Sequence, residues 1–422
     1  MKKLELLAPA GNILKMKTAF AYGADAVYLG IPDFSLRVRI NDFDLLKVKE
    51  AIEHAHDQKK KVYVTINIFA HNEHLKKISA YIKKLKDYSV DALIVSDPGV
   101  ISLIKQEWPR AEIHLSTQAN CTNAAAAQFW FKQGIKRVVL GREVTLPEIK
   151  EIHRLVPKLE LEYFVHGAMC MAYSGRCFLS KLFVSRSGNL GDCAQPCRWQ
   201  YDVAKYSVKA QGHDEELELV EEKHGAYLLN SRDLCLLPYL KDLIAVGVTS
   251  FKIEGRAKSA YYLAIVVSIY RKALKLNGQK VSASKLKKEL AYLSSELETK
   301  LVSRGYTTGF LLKDKAEQNI KNSHNKSAWE FCGQVIKVEH INNKKTRLEF
   351  QVHNTIKIND EIEIIGFDYD IIKISLEVLF DVKTGASIFE AHGGGGAQIC
   401  AIEFDGLWPI PTLAVLRRKI IK

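Results

Sequence analysis

Short apolar runs alternate with longer amphipathic stretches through most of the chain. The runs 4–8, 26–30, 61–67, 91–96, 112–117, 136–141, 160–166 and 249–254 are each of strand length. Several are apolar almost throughout, as in Ala92-Leu93-Ile94-Val95, which is the pattern of strands covered on both faces of a parallel sheet. Between them, 45–56 and 76–88 repeat apolar residues at helical spacing. Eight strands alternating with helices predict an α/β fold, a TIM-type (β/α)8 barrel. An open doubly wound sheet is the competing reading. The lack of a Gly-rich dinucleotide fingerprint after the first run weakens it.

Roughly 80 residues separate the seventh and eighth runs, far more than an ordinary connection needs. An insertion at about 167–248 is therefore expected, with a polar loop at 209–223. The segments 260–276 and 284–301 read as helices, and 313–329, polar and rich in Asn and Lys, as a linker. Beyond it the period shortens. The alternating runs 333–340, 346–352, 361–365, 371–379 and 398–402, with turn signals at Asn342-Asn343 and Asn359-Asp360, predict a small antiparallel β-barrel over 330–422. The first domain is then 1–312. The glycine run 393–396 has no following Lys-Ser/Thr and reads as a turn.

Composition narrows the class. With 47% hydrophobic residues over 422 positions, disorder is excluded and more than one core is affordable. No run of about 18 apolar residues is present, and Glu5 and Pro9 interrupt the first apolar stretch, so neither a membrane span nor a secretory signal is expected. A soluble, cytoplasmic protein is the default. The formal charge of +13 attracts polyanions, nucleic acid first and anionic membrane second. The basic end 417–419 is either a grip for RNA phosphates or a solvated terminus.

Five of the eight cysteines fall between 170 and 235. Cys170, Cys177, Cys193 and Cys197 are spaced C-x6-C-x15-C-x3-C. Four thiolates suit a tetrahedral metal or an iron–sulfur cluster, and the absence of tight C-x2-C knuckles favours iron–sulfur over zinc. Cys235 is a fifth candidate, and simple apolar burial is the alternative for all of them. Cys121, Cys332 and Cys400 stand alone and read as core residues.

In a barrel of this type the working groups follow the strands. Polar residues recur at the predicted strand ends. Among them His166, Asn67, Gln118 and Glu254 are candidates for catalysis, and Arg37, Arg39, His71, Arg142, Lys252 and Arg256 for binding carboxylates or phosphates. Each has a bland reading as a core hydrogen-bonding group or half of an ion pair. A peptidase apparatus is not recognisable. The segment His71-Asn72-Glu73-His74 has the wrong spacing for a zinc-binding His-Glu-x-x-His, and no Gly-x-Ser-x-Gly elbow occurs.

The stretch EYFVHGAMCMAYSGRCFLS at 162–180 resembles the signature of the collagenase-like peptidase family, type U32. LLAPAG at 6–11, GADAVY at 23–28, HLSTQAN at 114–120 and KIEGR at 252–256 support the resemblance, which covers residues 4 to 312. Within the family the chain is most similar to members that form 5-hydroxyuridine at the tRNA wobble position, on the strength of AFAYG at 19–23, SLRVR at 35–39 and Cys197-Arg198-Trp199. The resemblance implies tRNA as partner, prephenate as a required small molecule, and a 4Fe-4S cluster on Cys170, Cys177, Cys193 and Cys197. An electron donor is a further expected partner. Related members act on ribosomal RNA or on quinone rings. Peptidase activity and hydroxylation of another RNA or ring substrate are the alternatives. Hydroxylating an unreactive ring carbon needs redox chemistry that side chains lack.

Overall fold

The fold is described from a computed structural model, for residues 4–36, 42–170, 172–173, 176–177, 179–199, 208–209, 216–217, 230–312, 317–319, 324–325, 327–394 and 398–420. These fall into two compact units. One comprises Met1–Ile13, Ala26–Arg256 and Ser303–Asn325, the other Leu14–Asp25, Ala257–Val302 and Lys326–Lys422.

The first unit is built on a closed parallel barrel. Its strands are Glu5–Pro9, Ala26–Gly30, Lys61–Ile66, Ala92–Val95, Ile113–Leu115, Arg137–Val139, Glu160–Ala168 and Val248–Ile253. Each pairs with the next, and the eighth pairs with both the seventh and the first, which closes the ring. All eight runs expected from the sequence are strands, and the barrel reading is borne out over the open sheet. Helices follow the polar–apolar period of the sequence. Leu45–Asp57 starts at Asp44, whose carboxylate accepts from the Lys47 amide at 2.8 Å, and Pro98–Glu107 starts at Asp97 in the same way.

The barrel interior is divided by chemistry. On the first four strands Leu7, Ala26, Tyr28, Tyr63, Ala92 and Ile94 form one apolar cluster. On the last four the inward positions carry His114, Arg137, Glu162, Ser250 and Lys252, all buried.

The seventh strand is nine residues long and outruns its neighbours. Its end pairs antiparallel with Asp233–Cys235, with Cys235 opposite His166, and that short strand pairs with Tyr306–Thr307. The insertion after it contains the helix Leu179–Val184, single turns at Gly188–Leu190 and Pro196–Arg198, and the short paired strands Val208–Lys209 and Glu216–Leu217. The rest of the polar loop expected at 209–223 lies outside the described residues. Within 313–329, residues 317–319 make backbone bonds to 230–232.

The second unit includes the helices Ala260–Gly278 and Ala283–Lys300 and a curled antiparallel sheet. Cys332, Val335, Leu348, Phe350, Ile364 and Leu416 lie in its core. Two details depart from the sequence reading. The run 371–379 is not one strand. It leaves the ladder after Ser375, where the Leu376 amide turns to Asp360 O, and Leu379–Asp381 pairs with a different neighbour, Ile399–Asp405. The basic end is a strand, Val415–Lys419, between Trp329–Asn342 and Glu361–Ile365. It is neither a solvated terminus nor a free grip for phosphates, because carboxylates on neighbouring elements hold its arginines. Arg417 is wholly buried, donating to Glu363 Oε2 and Glu296 Oε2 at 2.7 Å each. Arg418 is paired with Asp360 and Glu330.

Candidate active site

Strand ends distant in sequence meet at one mouth of the barrel. Asn67, one residue past the third strand, ties several of them together. Its Oδ1 accepts from the Leu36 amide at 3.2 Å, and its Nδ2 donates to Ser116 Oγ and Gln118 Oε1, each at 3.2 Å. The Ser116 hydroxyl also donates to Gln118 Oε1. Ser96 Oγ donates to Asn67 O at 3.3 Å. The loops after the second, third, fourth and fifth strands are thereby laced into one polar wall. Gln118 Nε2 has no protein acceptor among the described residues.

His166 and Glu254 sit on the seventh strand and just past the eighth. The Glu254 amide donates to His166 O at 2.8 Å, and Glu254 Oε2 accepts from the Ala168 amide at 3.4 Å. Both residues are buried, and the His166 ring lies 5.4 Å from that of Tyr306.

Three candidate cations form a row on two aromatic rings. The Arg142 guanidinium is 3.9 Å from the Phe164 centroid. The Lys252 ammonium is 5.3 Å from the same ring and 4.4 Å from that of Tyr28. Arg256 is 5.9 Å from Tyr28 and also donates to Thr65 Oγ1 at 3.5 Å and to Leu36 O. Ring faces are electron-rich, so they favour cations without neutralising them. The row of Arg142, Phe164, Lys252, Tyr28 and Arg256 thus lines up three basic side chains on two rings. His71 is not part of it. It is exposed and precedes the helix Asn72–Asp87, its amide donating to His74 Nδ1 at 2.8 Å. Arg37 and Arg39 lie outside the described residues.

The sequence reading missed the ionic column beneath this row. Lys252 Nζ donates to Glu162 Oε1 at 2.7 Å. Glu162 Oε2 accepts from Arg137 Nη1 at 3.2 Å and Ser250 Oγ at 3.0 Å. Arg137 also pairs with Glu5 and with Glu160. Burial works against the Glu162 carboxylate, but the charges of Lys252 and Arg137 override it and hold its pKa down to about 2. Burial likewise pulls the Lys252 ammonium below its ordinary value, and Glu162 opposes that pull. The available signal was charge at alternate positions inside apolar strands, as in Glu160-Leu161-Glu162, which places carboxylates on the inward face.

The cysteine loop is anchored to the same mouth. Asn189 O accepts from the Phe69 amide at 3.2 Å, two residues past Asn67. Asn189 Oδ1 accepts from the Cys177 amide at 3.3 Å, and Cys193 Sγ accepts from the Gln195 amide at 3.3 Å. Gly188 separates Cys177 from Cys193. A Cβ there would stand 3.7 Å from Cys193 Sγ and 3.8 Å from Cys177 O. Burial raises the Cys197 pKa, and Cys170, Cys193 and Cys177 raise it further against the opposing Arg198 charge. The four thiols therefore share one electrostatic neighbourhood. Among the described residues, no three His, Cys, Asp or Glu side chains stand close enough to hold an ion. Cys235 lies in the short strand paired with the seventh, opposite His166. Cys121, Cys332 and Cys400 are fully buried, as core thiols should be, and burial pushes the Cys121 thiol up to about 12.

A closed α/β barrel with a cysteine-rich insertion after its seventh strand defines the class. Residues 11–321 match the family described as Peptidase family U32, and the chain belongs to that family. It is 40% identical over 404 residues to the tRNA hydroxylation protein P of Haemophilus influenzae, covering 86% of each chain. It is 34% identical over 376 residues to the 23S rRNA 5-hydroxycytidine C2501 synthase of Escherichia coli, covering 86% of this chain and 54% of that one. It is also 33% identical over 281 residues to a collagenase of Porphyromonas gingivalis, covering 64% of this chain and 65% of that one.

Proposed function

We propose that this protein hydroxylates RNA, and that its substrate is tRNA, converting the wobble uridine to 5-hydroxyuridine in the cytoplasm. The observation that carries the reading is the placement of four thiols on a loop tied to a barrel mouth that also holds a row of three cations on two aromatic rings. Similarity to proteins named for RNA hydroxylation supports it. The reaction replaces the C5–H bond of the pyrimidine by C5–OH, a net oxidation of the ring. Cys170, Cys177, Cys193 and Cys197 are the residues that would hold a 4Fe-4S cluster, an all-thiolate donor set of the kind such clusters take. When bound, the cluster supplies the electron transfer that amino-acid side chains lack. An oxygen-atom donor supplies the hydroxyl oxygen and takes up the ring's two electrons; where that donor is dioxygen, a donor partner supplies the two further electrons that reduce its second oxygen atom to water.

The chain's own residues then receive and orient the substrate. A loop nucleotide leaves its stack and enters the mouth, where the polar wall reads its edge. Gln118 Nε2 is a donor for a base carbonyl, and Asn67 fixes the Gln118 amide through its oxygen. Arg142, Lys252 and Arg256 bind anionic groups, either the RNA backbone or the carboxylates of a small co-substrate such as prephenate. Glu254 and His166 are backbone-coupled across adjacent strands, and the buried imidazole is placed to hold or pass a proton. For peptide hydrolysis a free thiolate would need a histidine base. The His166 ring lies instead against Tyr306, 5.4 Å between centroids.

The test is nucleoside mass spectrometry of bulk tRNA from a strain that lacks this gene and its paralogues. Nucleosides derived from 5-hydroxyuridine should vanish and return with the wild-type gene, and not with Asn67→Ala. An unchanged nucleoside profile overturns the reading.

A further inference from the structure

The ionic column inside the barrel asks for a reason. A buried ion pair contributes little net stability, because desolvating two charges offsets their attraction. The same barrel fills the other half of its interior with an apolar cluster around Leu7, Ala92 and Ile94. Apolar filling was therefore available to this fold. The column has an order that simple filling does not need. Glu5 and Glu160 hold Arg137, Arg137 and Ser250 hold one oxygen of Glu162, and the other oxygen of Glu162 holds Lys252. Signs alternate at every step and end on an ammonium that lies against both Tyr28 and Phe164.

We infer that Glu162 is a positioning residue, which keeps Lys252 charged and fixed between the two rings so that the barrel mouth presents an ammonium of set position to an anionic group of the substrate. The inference rests on the RNA-hydroxylation reading and adds a residue to it. Other charged and titratable groups bear on the pair. Arg137 from the sixth strand and Arg256 beyond the eighth push Lys252 towards its neutral form, and His114 from the fifth acts on Glu162. Tyr28 from the second strand contributes a ring face, and Arg142 shares the ring of Phe164. With two guanidinium groups working against the ammonium, Glu162 is the counter-charge that keeps it.

Three variants decide the matter: Glu162→Gln, Lys252→Met, and the apolar pair Glu162→Leu with Lys252→Met. The pair removes both charges and leaves Arg137 with Glu5 and Glu160. Each is measured three ways: unfolding midpoint, 5-hydroxyuridine-derived nucleosides after complementation, and NMR titration of ε-13C-labelled lysines. Lys252→Met assigns the Lys252 resonance. The apolar pair should keep a wild-type midpoint and lose the modified nucleosides. In Glu162→Gln the Lys252 resonance should titrate at lower pH than in wild type, and modification should fall. An unshifted titration, or wild-type modification by the apolar pair, overturns the role of Glu162. Should the wild-type chain itself restore no modification, the RNA reading fails, and the Lys252 titration alone decides whether Glu162 sets its charge.

Discussion

At the scale of single residues, the barrel interior sets protonation states by burial and pairing. His114 is fully buried beside Tyr63, with Nε2 3.0 Å from Glu112 Oε1. Burial lowers its pKa below 6.5, and the hydrogen bond to Glu112 opposes this. The folded protein therefore holds the imidazole neutral where the unfolded chain already binds a proton. Stability should fall as pH drops below about 6.5, at a rate approaching 1.4 kcal/mol per pH unit until the folded-state value is reached. Urea unfolding between about pH 7.5 and about pH 5 checks this, and His114→Phe should flatten the dependence. An equal slope in both proteins would show that other groups govern it.

Sequence reading at this scale was uneven for a physical reason. Asn67, Gln118 and Glu254 were visible because polar residues just beyond apolar runs mark strand ends, and a barrel brings strand ends together, while Lys252 was visible only because it stands next to such an end. Glu162 and Arg137 were not, because a charge within a strand reads as solvent-facing until the ring is closed. Arg417 misled in the same way. It looks like part of a basic tail, yet it lies in a strand facing the carboxylates of Glu296 and Glu363.

At the scale of elements, the long seventh strand does the most for the site. It carries Glu162 in the column, Phe164 in the cation row and His166 at the mouth, all by period-two alternation. Gly167 lets it pass close to the eighth strand. Its φ is +110°, and a Cβ there would stand 2.5 Å from Glu254 O. Gly167→Ala should therefore destabilise the fold by about 1–3 kcal/mol through backbone strain and steric conflict. It should also reduce RNA modification more than the lost stability explains, because Glu254 and His166 are displaced together. Chemical denaturation with nucleoside analysis measures both. A variant with wild-type stability would mean that the strand relaxes freely.

The elements themselves were legible because parallel strands covered on both faces leave long apolar runs. The last strand, Val415–Lys419, was hidden by its three basic residues. The break after Ser375 was hidden because Leu376 is apolar and buried, although it no longer belongs to the ladder.

At the scale of the whole molecule, a basic chain of net charge +13 suits a polyanionic substrate, while the candidate polar side chains meet at one barrel mouth. The crowding of four cysteines into residues 170–197 was legible from the sequence. Their attachment to the loop after the third strand was not, because it depends on one backbone hydrogen bond between Phe69 and Asn189. If the proposed function holds, these thiols carry a redox centre beside the barrel mouth. The most direct test is iron and acid-labile sulfide analysis of the anaerobically purified chain, alongside a variant with Cys170, Cys177, Cys193 and Cys197 changed to Ala. The expected result is a brown wild-type protein with about four irons and four sulfides per chain, and a colourless variant. A colourless wild-type protein holding zinc, or no metal, would contradict it.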